Sequence, residues 1–207
     1  MIERVLCENR ILPTLVVDTA DDALRVAEVL CEAGIGAIEI TLRTPVALAA
    51  IERVVGAALP LVVGAGSLLT AADQQRAHDA GAAFGVSPGS SEALASAALG
   101  MNWPWLPGVA TASEAMAMLA RGFHVLKLFP ASVALLDALS GPFPALRWVP
   151  TGGVDAENAA AYLARPQVLA LSGTWIAPRA AVAERRLDEI KRRAAAAVRL
   201  CAAPKRD

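Results

Sequence analysis

Two ionisable residues lie inside apolar, strand-like runs of this 207-residue sequence. Lys127 stands in VLKLFP and Glu39 stands in AIEITLR. A buried lysine can lose its proton and attack a carbonyl carbon, and a nearby carboxylate can carry protons for that reaction. Because buried ion pairs are a poor source of stability, we predict a proton-handling amine site. The structural alternatives are a lysine paired for folding alone and a Glu39 that only neutralises Lys127 or Arg43.

Lysine is rare in this chain, since only Lys127, Lys191 and Lys205 among 19 basic residues are lysines. Lys191 and Lys205 fall on a predicted C-terminal helix and its tail, whereas Lys127 is alone in a predicted strand. Arginine could carry the charge at position 127 but could not form an imine with a carbonyl. The composition therefore singles out Lys127 as the amine to test.

Three further strand ends could bind anions. Arg43 follows the strand of Glu39, and its guanidinium fork suits a carboxylate, although a surface arginine before Pro45 is equally compatible. The turns 151–153 (TGG) and 172–174 (SGT) could present backbone N–H groups to a phosphate, the first beside a helix that we predict to begin near Asp155. The alternative is that these turns need glycine only for a positive φ.

Eight short apolar runs recur through the chain and predict the strands of a parallel sheet buried on both faces. They are Leu12–Val17, Ala37–Leu42, Leu61–Gly66, Phe84–Pro88, Trp103–Pro107, Val125–Phe129, Arg147–Thr151 and Val168–Ser172. Segments of helical spacing lie between them, so we predict an α/β fold, a (β/α)8 TIM barrel. A doubly wound open sheet is the alternative, but no GxGxxG follows the first strand.

Helix boundaries are marked by capping residues and glycines. The predicted first residues or caps are Asp18 or Thr19, Thr70, Ser90, Thr111 (with Glu114 as a capping box) and Asp155. The predicted ends are Gly34, Gly81, Gly100 and Gly122. We expect one barrel domain over residues 1–207, with a C-terminal helix and a short basic tail.

Composition excludes several classes of protein. A net charge of −1 argues against a nucleic-acid partner. Three scattered cysteines and two histidines, His78 and His124, form no cluster that would predict a disulfide framework, a metal site or a zinc site. The charged first residues and the lack of a long uncharged apolar run predict neither a signal peptide nor a membrane helix, and so a cytoplasmic protein. We read both histidines as surface or structural residues, and the basic run 185–193 as a solvated helix face.

Five motifs together resemble the class I aldolase family for 2-keto-3-deoxy-6-phosphogluconate (KDPG) and 4-hydroxy-2-oxoglutarate (KHG). They are EITLR at 39–43, GAGS at 64–67, SPG at 87–89, KLFP at 127–130 and PTGG at 150–153. The resemblance spans residues 11–176 and implies a (β/α)8 barrel, a carbon–carbon lyase and a homotrimer without metal or cofactor. It further implies cleavage of a phosphorylated 2-keto acid to pyruvate and D-glyceraldehyde 3-phosphate, as in the Entner–Doudoroff pathway of carbohydrate metabolism.

The resemblance also implies residue roles. Lys127 would form the Schiff base with the 2-keto carbon, and Glu39 would move protons. Arg43 and Ser67 would hold the pyruvyl carboxylate, and Thr151 would lie beside the imine.

The remaining implied contacts concern the wall and the phosphate. Pro88 would line the wall near the imine, and the phosphate would be bound by Gly152, Gly153, Gly173 and Thr174. Two positions depart from the family. Ser67 replaces a common threonine but keeps the hydroxyl. Ser132 stands where the gluconate enzymes usually have glutamate, which leaves the preferred aldehyde and sugar stereoisomer open.

Four other functions remain compatible with the sequence. KHG or 2-dehydro-3-deoxy-6-phosphogalactonate could be the substrate of the same chemistry. A phosphate-binding barrel isomerase would use Glu39 as base and Lys127 for electrostatic help, without releasing pyruvate. A catalytically silent scaffold would tolerate Glu39→Gln.

Overall fold

The computed structural model describes residues 2–202 and shows nine parallel strands surrounded by helices. Lys205 and the predicted basic tail lie outside these residues. The strands are β1 (Ile11–Leu15), β2 (Ala37–Thr41), β3 (Val62–Gly66), β4 (Phe84–Val86), β5 (Trp105–Leu106), β6 (Gly108–Val109), β7 (Val125–Leu128), β8 (Arg147–Pro150) and β9 (Leu171–Gly173). Eight of the nine strands overlap the eight predicted runs, and the ninth, β6, was not predicted because it begins directly after the fifth run ends at Pro107.

The strands close on themselves and confirm the (β/α)8 barrel. Hydrogen bonding joins β5-β4-β3-β2-β1-β9 and, separately, β6-β7-β8. Two isolated bridges, Trp148–Val168 and Thr151–Ser172, connect β8 to the β9 region. The ladder is interrupted between β5 and β6 at Pro107, which has no N–H to donate. The open doubly wound alternative is therefore wrong, because β1 and β9 are neighbours.

Ten helices are present in the described residues; α1 precedes the first strand, α2 to α9 each follow a strand, and α10 follows α9. They are α1 (Ile2–Asn9), α2 (Ala20–Glu32), α3 (Ala47–Gly56), α4 (Ala71–Asp79), α5 (Glu92–Gly100), α6 (Ala112–Ala120), α7 (Val133–Ser140), α8 (Ala159–Leu163), α9 (Arg179–Ala183) and α10 (Leu187–Ala202). None of these helices combines the length and apolar character needed to cross a bilayer. We did not predict α1, whose Val5 and Leu6 are buried.

Most predicted caps are confirmed. The hydroxyls of Thr19, Thr70 and Thr111 accept hydrogen bonds from backbone N–H groups three residues on. The Thr111–Glu114 capping box is complete, with the carboxylate accepting from the N–H of Thr111. These caps satisfy N–H groups that have no partner within the helix.

Three predicted boundaries are wrong. Ser91, not Ser90, caps α5, because its hydroxyl accepts from the Leu94 N–H. Gly100 was expected to follow the C-cap of its helix, but it is the last helical residue of α5, and Asn102 takes the left-handed conformation instead, with φ +49°. Gly34, Gly81 and Gly122, in contrast, have positive φ as predicted.

The helix predicted near Asp155 is the third error. It begins at Ala159, because the Asp155 carboxylate accepts from the N–H groups of Glu157 and Asn158 and holds a turn instead. The side chain of Asn158 closes this turn by accepting from the Asp155 N–H and donating to the carbonyl of Gly153. A helix N-terminus is therefore not placed directly behind the TGG turn.

The barrel interior is apolar at one end. Leu12, Ala37, Val125 and Ala170 belong to a buried cluster there, and α1 closes it with Val5 and Leu6. Two residues further along each of these four chain segments stands a polar residue: Thr14, Glu39, Lys127 and Ser172. Because side chains of a strand alternate between its two faces, the polar four form the next interior layer, toward the carboxyl ends of the strands.

Candidate active site

The two ionisable residues predicted inside strands face each other in the barrel. Lys127 on β7 is 4% exposed and Glu39 on β2 is 1% exposed. Lys127 Nζ lies 3.6 Å from Glu39 Oε1, which is close enough for an ion pair but long for a hydrogen bond. Oε1 has no hydrogen-bond partner among the described residues. The carboxylate oxygen nearest the amine is therefore free to exchange a proton with it or with a molecule bound beside it.

Gly66 on β3 makes room for the carboxylate. A Cβ at this position would collide with Oε1, Cδ and Cγ of Glu39. β3 is paired with β2 in a register that places Glu39 opposite Gly64 and Thr41 opposite Gly66. Gly66 therefore makes room for Glu39, whereas Gly64 makes room for the ring of Phe84, with which a Cβ at position 64 would collide.

Arg43 and Ser67 are brought together at the mouth of the barrel. Arg43 Nε donates to Ser67 Oγ over 2.8 Å. Ser67 has φ +58°, the left-handed region that non-glycine residues rarely occupy. Uncommon backbone conformations are concentrated at functional sites, where the surrounding structure maintains them. The arrangement leaves the remaining guanidinium N–H groups of Arg43 available to an anion.

The two glycine turns after β8 and β9 lie on one side of the same mouth. Gly152 and Gly153 have φ values of +78° and +80°, and a Cβ on Gly152 would approach the Phe129 ring to 2.8 Å. The backbone N–H groups of Gly152, Gly153 and Thr174 donate to no acceptor within residues 2–202. Unused backbone N–H groups in a concave turn are typical anion ligands.

A cavity of about 180 Å³ connects these groups. It is lined by Lys127 and by Thr14, Arg43, Phe129, Thr151, Gly152, Gly153, Val154, Gly173 and Thr174. The cavity thus has an amine at its base, a guanidinium at one side and the glycine turns at the other. Such a site can bind a small molecule that carries two anionic groups with a carbonyl between them.

A larger cavity, of about 440 Å³, opens at the opposite end of the barrel. Trp103, Phe123 and the exposed His124 contribute to its lining, together with Ile2 and Glu3 of α1. It contains none of the predicted site residues. Size alone would favour this cavity, but the amine, the buried carboxylate and the anion-binding turns are all at the other end, where (β/α)8 enzymes carry their chemistry.

Three predicted residues, Glu39, Ser67 and Pro88, are not among the lining residues of the small cavity. Pro88 follows β4 and is not among its lining residues; its carbonyl instead packs where a Cβ of Gly108 would be. Gly108 is paired with Lys127 in the ladder, so Pro88 borders the strand next to the amine. Glu39 adjoins the cavity through its contact with the Lys127 amine, and Ser67 does so through its hydrogen bond with Arg43. Among residues 2–202 no group of three or more histidine, cysteine or acidic side chains is arranged to bind a metal ion.

Two residues of the site, Thr14 and Phe129, were not predicted as site residues, and Ser172 was predicted only as part of the anion-binding turn 172–174. Thr14 and Ser172 are buried hydroxyls that contact Glu39, and Phe129 has its ring centroid 5.6 Å from Lys127 Nζ. All three stand in or directly beside the predicted strands. A search for every polar residue inside a strand, rather than for ionisable residues only, would have found the two hydroxyls.

Comparison with known proteins gives one consistent result. A family model described as KDPG and KHG aldolase matches residues 2–193. The 2-dehydro-3-deoxy-phosphogluconate aldolase of Pseudomonas aeruginosa is 45% identical over 185 residues, which cover 87% of this chain and 84% of that protein.

Solved structures agree with the sequence comparison. A KDPG aldolase from Legionella pneumophila, with pyruvate captured at low pH as a covalent carbinolamine intermediate, superposes with a TM-score of 0.91 at 35% identity. The match covers 95% of this chain and 98% of that one. The Zymomonas mobilis 2-keto-3-deoxy-6-phosphogluconate aldolase with 3-phosphoglycerate gives 0.88 at 35% identity, over 95% and 94% of the two chains.

Proposed function

This chain belongs to the KDPG and KHG aldolase family of carbon–carbon lyases, and from this premise we propose that it cleaves KDPG to pyruvate and D-glyceraldehyde 3-phosphate through a Schiff base on Lys127. One observation supports this assignment above the others. The buried amine of Lys127 faces the unpartnered oxygen of Glu39 at the base of a cavity whose rim can bind two anions.

The first half of the reaction forms the imine. Lys127 first passes one proton to Glu39, the resulting amine attacks the C2 carbonyl carbon, and a second amine proton moves to the carbonyl oxygen to give a carbinolamine. Glu39 then returns its proton to this hydroxyl, which leaves as water, and an iminium remains with Glu39 ionised. The positive iminium then withdraws electrons from the substrate carbons beside it.

The second half breaks the carbon–carbon bond. The C4 hydroxyl gives its proton to Glu39, the electrons of the C3–C4 bond move into the iminium, and the aldehyde leaves while an enamine forms on Lys127. Protonation of the enamine at C3 regenerates the iminium. Water then adds to C2, and pyruvate leaves with release of the amine.

The mouth of the cavity positions the two ends of the substrate. Arg43 and Ser67 bind the carboxylate next to C2, and Thr151 lies beside the imine, with its hydroxyl donating to the Val149 carbonyl. The phosphate is bound by the N–H groups of the two glycine turns, at Gly152, Gly153, Gly173 and Thr174. Pro88 limits the wall near the imine.

Several finer properties are part of the same proposal. The substrate is a phosphorylated 2-keto acid, the protein acts in the cytoplasm without a cofactor, and the physiological route is the Entner–Doudoroff pathway. The active form is a homotrimer in which residues 1–207 form one barrel domain. The similarity to KDPG aldolases of other organisms supports the substrate class.

The aldehyde end of the substrate remains the least constrained. The hydroxyl of Ser132 accepts from the Leu135 N–H and caps α7. It is therefore committed to the helix and does not line the cavity. KHG and the galactonate isomer of the substrate are the alternatives that this leaves to experiment.

Two measurements test the function. Sodium borohydride added with pyruvate should reduce the iminium to a stable adduct, and peptide mapping should place that adduct on Lys127. An adduct on Lys191 or Lys205, or no adduct, would contradict the Schiff base. Pyruvate release from KDPG, its galactonate isomer and KHG, each coupled to lactate dehydrogenase, then ranks the substrates. Conversion of a phosphosugar without pyruvate would support an isomerase instead.

A further inference from the structure

Two buried hydroxyl groups converge on the oxygen of Glu39 that faces away from Lys127. Thr14 Oγ1 lies 3.3 Å from Glu39 Oε2, and Ser172 Oγ lies 3.5 Å from the same oxygen. The two hydroxyl oxygens are 3.0 Å apart. Thr14 is 4% exposed and Ser172 is fully buried. Three polar groups from β1, β2 and β9 therefore form a closed cluster inside the barrel.

The number of available protons determines what this cluster can do. Each hydroxyl has one proton to donate, whereas the ionised carboxylate can only accept. If one hydroxyl donates to the other, the second still donates to Oε2, so Oε2 accepts at least one hydrogen bond in every satisfied arrangement. Oε1 receives none from this cluster and is left for Lys127, 3.6 Å away.

We propose that Thr14 and Ser172 are positioning residues that hold the Glu39 carboxylate with Oε2 anchored and Oε1 presented to the amine. The terminal torsion of a glutamate is broad, so an unanchored carboxylate would rotate and exchange its two oxygens. Proton transfer requires the accepting oxygen within hydrogen-bond reach of the proton. Anchoring one oxygen fixes the other in place, and this inference rests on the proposed aldolase function.

The cluster is not required for packing. A valine and an alanine would fill the same two positions, and replacing both partners of a hydrogen bond by apolar groups of similar shape costs little. Hydroxyls at these positions bring a desolvation cost that is offset only by their bonds to each other and to Glu39. The register of the sheet, which places Thr14 opposite Glu39, brings the anchor and the carboxylate together.

The test uses a half-reaction that needs no aldehyde. In D2O, NMR follows the exchange of the pyruvate methyl protons, which requires the iminium and a base that removes a proton from C3. Thr14→Val and Ser172→Ala should each slow this exchange and the kcat for cleavage about tenfold, the effect of one hydrogen bond to a charged group. KM should stay within about twofold, because neither hydroxyl binds the substrate in this proposal.

Two further variants distinguish an effect of the hydroxyl hydrogen bonds from an effect of altered side-chain packing. Thr14→Ser should keep exchange within about threefold of wild type, because it retains the anchoring hydroxyl. The double variant should lose less than the product of the two single losses, because both act on one carboxylate oxygen. Ser172 does not line the cavity, so its effect cannot come from lost contact with the substrate.

Thr41→Val is the matched control. Thr41 is equally buried on β2, but its hydroxyl donates to the Leu15 carbonyl rather than to Glu39. It should lower the melting temperature as much as Thr14→Val without the tenfold loss of exchange. If Thr14→Val does not fold, Ser172→Ala and Thr14→Ser carry the test.

Two results would overturn the inference. They are wild-type exchange rates in both hydroxyl-deletion variants, and a loss that appears only in KM. Absence of exchange and cleavage in the wild-type protein would instead refute the proposed function, so the two failures can be told apart.

Discussion

The molecule contains two ion pairs of a lysine with a glutamate, one buried and one exposed. Inside the barrel, Lys127 and Glu39 lie 3.6 Å apart with side chains 5% and 1% exposed. In the outer layer, Lys191 of α10 and Glu32 of α2 lie 2.8 Å apart with side chains 50% and 61% exposed. The closer pair is the exposed one, and exposed pairs contribute little to stability. Burial and an unpartnered oxygen, rather than a short distance, distinguish the pair that can do chemistry.

The amines of the two pairs also differ in availability. Glu32 raises the pKa of the Lys191 amine, first through their hydrogen bond and then through its charge. Lys191 therefore stays protonated and cannot act as a nucleophile at neutral pH. Lys127 makes no hydrogen bond to its carboxylate, and its amine is at the base of the cavity.

The largest expected effect is the loss of the interior amine. Lys127→Arg keeps a positive charge but cannot form an imine, so cleavage should fall more than about 1000-fold. Lys191→Arg is the matched control and should retain wild-type kcat. Steady-state pyruvate release measures both variants. Retained activity in Lys127→Arg would remove the functional difference between the two pairs.

The next effect concerns the carboxylate. Glu39→Gln preserves size and removes the proton acceptor, so kcat should fall by about 100-fold or more, the range for a general acid–base group. Glu32→Gln in the outer pair should leave kcat unchanged. Borohydride trapping with pyruvate should show slower adduct formation only in the interior variant. Equal rates in both variants would mean that Glu39 moves no proton in this reaction, whereas absence of any adduct, in the wild-type protein as in the variants, would support a silent scaffold.

A smaller effect is expected at the mouth of the barrel, where one substitution of Ser67 should weaken substrate binding and increase stability. Ser67→Gly removes the hydroxyl that orients Arg43, so KM should rise about tenfold. The same change relieves the left-handed backbone at φ +58° and should raise the free energy of unfolding by about 1 kcal/mol. Kinetics and urea denaturation check the two parts separately. A drop in stability would mean that the Ser67 conformation carries no strain.

The smallest effect is expected for a third ion pair, Asp22 with Arg185, in which the carboxylate is buried and the guanidinium is exposed. The Asp22 carboxylate, 9% exposed, accepts from the Thr19 hydroxyl and from Arg185 Nε. The Thr19 hydrogen bond, with help from Arg185, lowers the pKa of Asp22 below its ordinary 3.8. A lowered pKa adds stability that is present above the unfolded value and disappears as the pH falls through the folded value.

Asp22→Asn should therefore destabilise the fold by about 1 kcal/mol at pH 7 and by much less near pH 2. Urea denaturation at the two pH values measures the difference, and pyruvate release should be unchanged. An equal loss at both pH values would show that the charge of Asp22 contributes nothing.

The sequence predicts the interior pair well because charge inside an apolar strand is a strong signal. Lys127 and Glu39 needed no knowledge of neighbouring strands to be recognised. The role of Thr14 and Ser172 was missed because a hydroxyl in a strand is unremarkable until pairing of the strands brings it to Glu39. The β1–β2 register places Thr14 opposite Glu39, whereas Ser172 approaches Glu39 because closure of the barrel makes β9 a neighbour of β1.

The errors in the predicted helices and strands, in contrast, have local causes. The fifth predicted strand ends at Pro107, and the apolar pattern does not predict the short strand β6 that follows at Gly108–Val109. Helix α8 starts late because the Asp155 side chain forms a turn with backbone groups that a helix would otherwise use. Helix α1 was not predicted because its charged residues leave only a short apolar pattern around the buried Val5 and Leu6.

The hydrogen bond between Arg43 and Ser67 has a consequence for the thermodynamics of recognition. A free arginine side chain carries about 2 kcal/mol of rotamer entropy, which is lost when a ligand orders it. Here Ser67 restricts Arg43 before any substrate arrives, so part of that loss has already occurred during folding. Binding then proceeds with a smaller entropic penalty, and the affinity for a small carboxylate is gained without a larger contact area.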